Sequence, residues 1–180
     1  MNDNVSQMLG AFYQADTIPE MVDSCFRELH YGQNIQLDTN TNLKVIWPFN
    51  KATEGDNADS LVMRLDSFDT SILLTGDIDT FCEDNLCDLG LVEKTDILKV
   101  AHHGSRYSSG EIFLQTITPD NAIISVGEGN FYGHPAVETL DRLEKVKANT
   151  YQTSKNGAII VNIFTAHYEI STFKENKDAF

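Results

Sequence analysis

Hydrophobic positions along the chain fall into two alternating patterns, short continuous runs that suit strands and spaced stripes that suit helices. In "TIPEMVDSCFRELHYG", Met21, Val22, Cys25, Phe26 and Leu29 share one helical face. Thr17 can cap that helix, Pro19 suits its first turn and Gly32 its stop. "LKVIWP" reads as a strand closed by Pro48, and "NKATEGDNAD" as a loop rich in turn formers. "SLVMRLD" and "TSILLTGD", separated by "SFD", predict a hairpin. A helix over 79–88 follows, its apolar residues being Phe81, Leu86 and Leu89, and then the strand "DILKV". Ser108 and Glu111 have the spacing of a capping box for a helix over 109–117. After the strand "NAIISVG", "HPAVETLDRLEKVK" predicts a helix with Pro135 in its first turn and Val137, Leu140, Leu143 and Val146 on one face. Asn156-Gly157 marks a turn before two closing strands, "GAIIVNIF" and "HYEISTF", and the tail "KENKDAF" reads as frayed. Strands alternating with helices imply an α/β fold with a mixed sheet covered by helices.

Length and composition add bounds. At 180 residues the chain can bury the core of one domain. No apolar run reaches 18 residues, so no membrane span is expected, and "MNDNVSQMLG" lacks the pattern of a signal peptide. Location stays open: bacterial cytoplasm and cell exterior both fit. The net charge of −14 opposes phosphate backbones at long range, which disfavours non-specific nucleic-acid binding unless cations reverse the local field. Three cysteines, Cys25, Cys82 and Cys87, form neither a disulfide framework nor a zinc pattern and are expected to be buried.

Candidate chemistry gathers where three apolar runs end. "ILLTGD" ends at Asp77, "ILKVAHHGS" at His102 and His103, and "AIISVGEGNFYGHP" leads to His134. In open α/β sheets ligands collect beyond the carboxyl ends of strands, and a carboxylate with imidazoles is a divalent-metal ligand set. Each piece also has an ordinary structural explanation. Asp77 could cap the helix over 79–88, the His pair could bond to backbone, and His134 could cap the helix it precedes.

Taken together, "DNADSLVMRLDSFDTSILLTGDID", "TDILKVAHHGSRYSSGEIF", "NAIISVGEGNFYGHPAVETLDRL" and "TYQTSKNGAIIV" closely resemble the metallo-β-lactamase-fold domain of ComEC-type competence proteins and its stand-alone relatives, among them phosphorylcholine esterases. The resemblance covers about residues 35–165. It implies that residues 1–180 are a single domain, the C-terminal portion of that fold: half of an αββα sandwich, with a mixed sheet and flanking helices. It implies a metal-dependent hydrolase of phosphoester or phosphodiester bonds, the alternative being a non-catalytic remnant or binding module. The complete site would hold two divalent ions, zinc or manganese. By the same resemblance Asp77 bridges the ions, His103 ligates one, and His102 serves catalysis at the substrate phosphate or leaving group. His134 and Ser105 line the substrate side, and Asn57 and Ser60 belong to a structural element.

One part of the family pattern is missing. A His-x-(His/Asp)-x-Asp-His loop is expected upstream of the helix over 18–29, and no such motif occurs; His30 and His167 match none. Metal binding by the chain alone is therefore expected to be weak or absent. The missing half of the fold, or self-association, would cover an apolar sheet face.

Overall fold

The computed structural model describes residues 29–49 and 57–174. The helix read over 18–29, except Leu29 and including Cys25, and nearly all of the tail lie outside the described residues.

Among the described residues nine strands and four helices follow one another. β1 (Asn34–Gln36), β2 (Thr41–Trp47), β3 (Val62–Ser67) and β4 (Thr70–Leu74) come first, then α1 (Thr80–Asp88), β5 (Ile97–Lys99), α2 (Glu111–Ile117) and β6 (Asn121–Ile124). α3 (Val137–Lys145), β7 (Asn149–Gln152), the short α4 (Thr153–Asn156), β8 (Ile159–Ile163) and β9 (Tyr168–Thr172) complete the chain. β1 to β7 form one sheet in sequence order. Its first four strands are antiparallel, and β4 to β7 are parallel. The mixed sheet flanked by helices is the α/β architecture expected. The hairpin read at "SFD" is the β3–β4 connection, with Ser67 opposite Thr70.

Parallel strands need crossovers, and α1, α2 and α3 supply them. Their apolar residues meet one sheet face. Cys82 and Leu86 of α1, Phe113, Leu114 and Ile117 of α2, and Leu143 of α3 pack with Leu73, Leu98, Val100, Ala122 and Ile124. The opposite face carries a smaller cluster of Ile35, Leu43, Val45 and Met63, flanked by partly buried Leu61, Leu65 and Leu74. β8 and β9 pair as a separate hairpin. It is tied to the sheet where Asn121 Nδ2 donates to Tyr168 Oη at 2.7 Å. No helix among the described residues is long and apolar enough to cross a membrane.

Several local expectations need correction. α1 does not bury Phe81 and Leu89, which are exposed; Cys82, Glu83 and Leu86 turn inward instead. The Ser108–Glu111 capping box does not form. α2 has Gly110 at its N-cap with no side-chain bond, and Ser108 Oγ donates to Ala101 and Ser105 carbonyls instead. Pro135 lies before α3, whose N-cap is Ala136, and Val137 is exposed while Leu140, Leu143 and Val146 face the core. Cys82 is buried, whereas Cys87 is only half-buried at the core's edge. β1 and β7 were not expected as strands: "NIQ" and "NTYQ" are short and polar, and occupy the two edges of the sheet.

Candidate active site

The parallel register sets the geometry. Leu74 pairs with Lys99 and Lys99 with Ile123, so β4, β5 and β6 end together on one edge. The residues just beyond them, Asp77, His102–His103 and the loop 125–134, therefore leave the sheet side by side.

Asp77 is not a helix cap. Asp79 fills that role, accepting the Cys82 N–H at 3.0 Å. The Asp77 N–H donates to Ser60 Oγ at 3.2 Å. Gly76 before it has φ +56, and a Cβ there would lie 2.9 Å from Ser60 Cβ, so the turn into Asp77 requires glycine. The Asp77 carboxylate is left half-exposed, 3.8 Å from His103 Nε2.

The histidine pair sits in an unusual turn. His102 has φ 47 and His103 φ 55, both left-handed, and Gly104 follows at φ +83. Such backbone costs a residue with a side chain about 1–2 kcal/mol. Surrounding bonds offset it: the His102 N–H donates to Gly76 O at 3.1 Å, Ser105 N–H to His102 O at 2.9 Å, and Ala136 N–H to Gly104 O at 2.9 Å. The turn splays the two rings, whose centroids stand 6.4 Å apart at 72°.

Hydrogen bonding then holds the two rings by different partners. His103 Nδ1 lies 2.7 Å from Ser125 O, which can only accept, so Nδ1 carries a proton and Nε2 is the nitrogen that faces Asp77. His102 Nδ1 lies 3.2 Å from Asn57 Nδ2. That amide nitrogen can only donate, so the His102 proton belongs on Nε2.

His134 joins from the loop after β6. Its ring is 5.7 Å from that of His102, and Tyr132 stacks against it at 6.1 Å and 17°. Asn130 holds this segment, taking the His134 N–H at 3.0 Å and donating to its carbonyl at 2.6 Å. Burial, and then the charges of His102, His103 and Arg106, hold His134 below the usual imidazole range. Its Nδ1 is buried with no hydrogen-bond partner. An open groove of about 470 Å³ runs between His103, Ser125, Asn130, Tyr132, His134 and Thr153.

Ser105 stands apart. It is buried, and its hydroxyl accepts the Tyr107 N–H at 3.3 Å while its carbonyl takes the Thr139 hydroxyl at 2.8 Å. Two participants carry little sequence signal. Asn57 reaches His102 across 45 residues. Lys99, at the end of β5, is largely buried, with Nζ donating to Val100 O at 2.9 Å. Burial pulls its pKa down and the Asp77 charge pulls it up.

The fit to a divalent ion can be tested on these distances. Zinc bonds to nitrogen and oxygen are about 2.0–2.2 Å, so one ion can touch both Asp77 and His103 across 3.8 Å. Among the described residues, however, no group of three or more His, Cys, Asp or Glu side chains comes together to hold a metal. The pair fits part of a ligand set and leaves it incomplete.

Comparison with known proteins places the chain. It is 36% identical over 130 residues to Recombination protein 2 of Haemophilus influenzae, covering 72% of this chain and 16% of that protein. It is 39% identical over 103 residues to ComE operon protein 3 of Bacillus subtilis, covering 57% and 13%. Competence protein ComA of Neisseria gonorrhoeae is 32% identical over 113 residues, covering 62% and 16%. The chain belongs to the ComEC-type competence protein family. It spans only 13 to 16% of the length of these three relatives. No family model matches it. Among solved structures, a protein provisionally described as a metal-dependent hydrolase from Parabacteroides distasonis superposes on this ComEC-type chain with a TM-score of 0.49 at 12% identity, covering 80% of this chain and 67% of its own.

Proposed function

We propose that this chain forms one side of a metal-dependent hydrolase centre acting on phosphoester or phosphodiester bonds. The observation that carries the reading is the geometry of the adjacent histidines, with His103 Nε2 facing Asp77 and His102 Nδ1 held by Asn57. His103 turns Nε2 toward the carboxylate, where it would take a metal ion once unprotonated, and its other nitrogen is fixed by a backbone carbonyl. His102 offers an N–H, as a group that stabilises a phosphoryl oxygen or protonates a leaving oxygen does.

Asp77 and His103 would hold the ion, zinc or manganese, and the remaining ligands would come from a complementary half of the fold or a second copy. A bound divalent ion would supply Lewis acidity and a water acidified toward neutral pH. The residues present do the rest. His102 donates from Nε2 toward the substrate, and the neutral His134 ring, stacked on Tyr132, bounds the groove on the substrate side. Ser105, buried and engaged with Tyr107 and Thr139, supports the turn from behind. The charge of −14 favours a small phosphoester, or a site whose metals neutralise the local field, over a long polyanion held by the protein surface.

The test is metal binding and hydrolysis of bis(p-nitrophenyl) phosphate, with the chain alone and with the complementary segment of a full-length relative. The chain alone should bind zinc or manganese weakly and turn over little. In the reconstituted pair, His103→Ala should lose metal. His102→Ala should keep it and lose about 10²–10⁴-fold in rate. Two tight metal sites on the isolated chain would overturn the division of ligands. Unchanged metal content and rate in Asp77→Ala, His102→Ala and His103→Ala would leave the binding-module reading standing.

A further inference from the structure

Glu83 takes no part in the chemistry above, yet it is the one charged side chain buried among the described residues. Its two carboxylate oxygens accept the N–H of Ser109 at 2.6 Å and of Gly110 at 2.7 Å. From α3, Arg142 holds the carbonyls of the same strip of backbone. Its Nε donates to Ser109 O at 2.8 Å, and its Nη2 to Ser108 O at 2.9 Å and Arg106 O at 3.1 Å. Within residues 106–110 the N–H groups of Ser109 and Gly110 thus rest on the Glu83 carboxyl, and the C=O groups of Arg106, Ser108 and Ser109 on a cation. Charge-assisted bonds of this kind are roughly twice as strong as neutral ones.

What the clamp joins gives it meaning. Glu83 stands on α1, which begins three residues after Asp77. The clamped strip leaves the His102–His103–Gly104 turn directly. A second bond links the same two pieces, the Thr80 N–H donating to Tyr107 O at 2.9 Å. The contact is close: a Cβ on Gly110 would meet Thr80 Cγ2 at 3.3 Å and Glu83 Oε2 at 3.4 Å. The charged groups that act on Glu83 are Arg142 across the strip and Asp84 beside it on α1.

We propose that Glu83, opposed by Arg142, is a positioning residue that sets the spacing of Asp77 and the left-handed His102–His103 turn. This rests on the reading of those residues as the working groups of the site.

The experiment is NMR on the full, isotope-labelled chain, following the His102 and His103 ring signals and the Ser109 and Gly110 amides in wild type, Glu83→Gln and Arg142→Lys. Glu83→Gln keeps the shape of the side chain and removes the charge that the carboxyl carries above pH 7, where the spectra are compared. We expect a folded protein in which the two amides lose their strong-bond downfield shift and the His102 and His103 rings move. Titration with Mn²⁺ alone should need about tenfold more metal to relax His103, as for other groups that orient a ligand. A merely structural Glu83 would lower stability and leave the ring signals in place. Unmoved rings in folded Glu83→Gln therefore overturn the proposal. If that variant does not fold, Arg142→Lys decides on the same criterion. Loss of fold in both also overturns it, since the pair is then a general stability element. If Mn²⁺ relaxes no residue near His103 in the wild type, the metal reading fails, while the ring comparison still decides the positioning role.

Discussion

The two loops that border the candidate site are built in opposite ways. The turn and strip at 101–110 are fastened on every side: Gly76 O, Glu83, Thr139 and Arg142 all bond to them, and Ser108 and Ser109 have no exposed surface. The loop at 127–134 contains three glycines, presents Tyr132 and a fully exposed Phe131, and is pinned chiefly by the side chain of Asn130. On the function proposed above, the contrast divides labour. Groups that must meet a metal within tenths of an ångström need locked backbone. A loop that meets substrates of differing shape can be held by less.

The largest effect should come from breaking the fastened side. A Cβ on Gly104 would stand 2.7 Å from Pro135 Cβ and 3.1 Å from its Cα, at a φ of +83. Gly104→Ala meets both left-handed backbone strain, about 1–2 kcal/mol, and overpacking, about 1–3 kcal/mol. Urea denaturation should show a loss of about 2–5 kcal/mol. A loss below about 1 kcal/mol would mean that the turn yields easily, and the contrast between the loops would weaken.

The second effect is a pH dependence on the same side. Burial pushes the Glu83 carboxyl from 4.5 up to about 7, against the pull of the Gly110 and Ser109 N–H groups and of Arg142. A raised folded pKa means that the native state keeps a proton the unfolded chain has released. Stability from this group is complete below pH 4.5 and is lost as pH rises toward 7. At about 1.4 kcal/mol per unit, the loss is on the order of 3 kcal/mol at most. Subtracting the pH–stability curve of Glu83→Gln from that of wild type isolates it. A difference that is flat between pH 4 and 8, or rises with pH, would show that the N–H groups and Arg142 outweigh burial.

How much of this could be seen in the sequence depended on whether a feature was local. The strand-end residues Asp77, His102, His103 and His134 stood out because each follows an apolar run, and the register of β4 to β6 brings those runs to one edge. The clamp was hidden. Ser108-x-x-Glu111 has the form of a capping box, but Glu83, 26 residues upstream, takes the N–H of Ser109, and Ser108 turns inward. The apolar residues named for the helix over 79–88, Phe81, Leu86 and Leu89, gave no sign of a buried Glu83, because nothing local says that a glutamate is buried. The orientation of the His pair likewise depends on Ser125 and Asn57, distant in sequence. β1 and β7 were missed because short polar edge strands have no hydrophobic period to read.

A smaller effect is expected on the loosely held side. Asn130 accepts the His134 N–H and donates to the His134 carbonyl. Asn130→Ala removes both bonds, and a longer one to Gly127 O, in a segment water can reach, so the cost should be about 1 kcal/mol. The functional consequence should be larger than the stability change: with its tether gone, His134 should lose its stacking on Tyr132. Loss of the cross-peaks between the Tyr132 and His134 rings would show this. Retained cross-peaks would mean that the loop holds its own shape without the tether.

The smallest effect separates the loops most cleanly. Phe131 is fully exposed and buries no side-chain area against the fold. Phe131→Ala should therefore change stability by less than about 0.5 kcal/mol, whereas a buried aromatic such as Phe113 would cost about 3–5 kcal/mol on the same substitution. If the loop meets substrate, the effect of Phe131→Ala should fall on KM for an aryl phosphodiester in the reconstituted enzyme, with kcat unchanged, because the ring stands outside the Asp77–His103 cluster. A fall in kcat at constant KM would place Phe131 among the groups that act on the transition state. A stability loss above about 1 kcal/mol would show that the ring is packed after all, and the two loops would then differ in degree only.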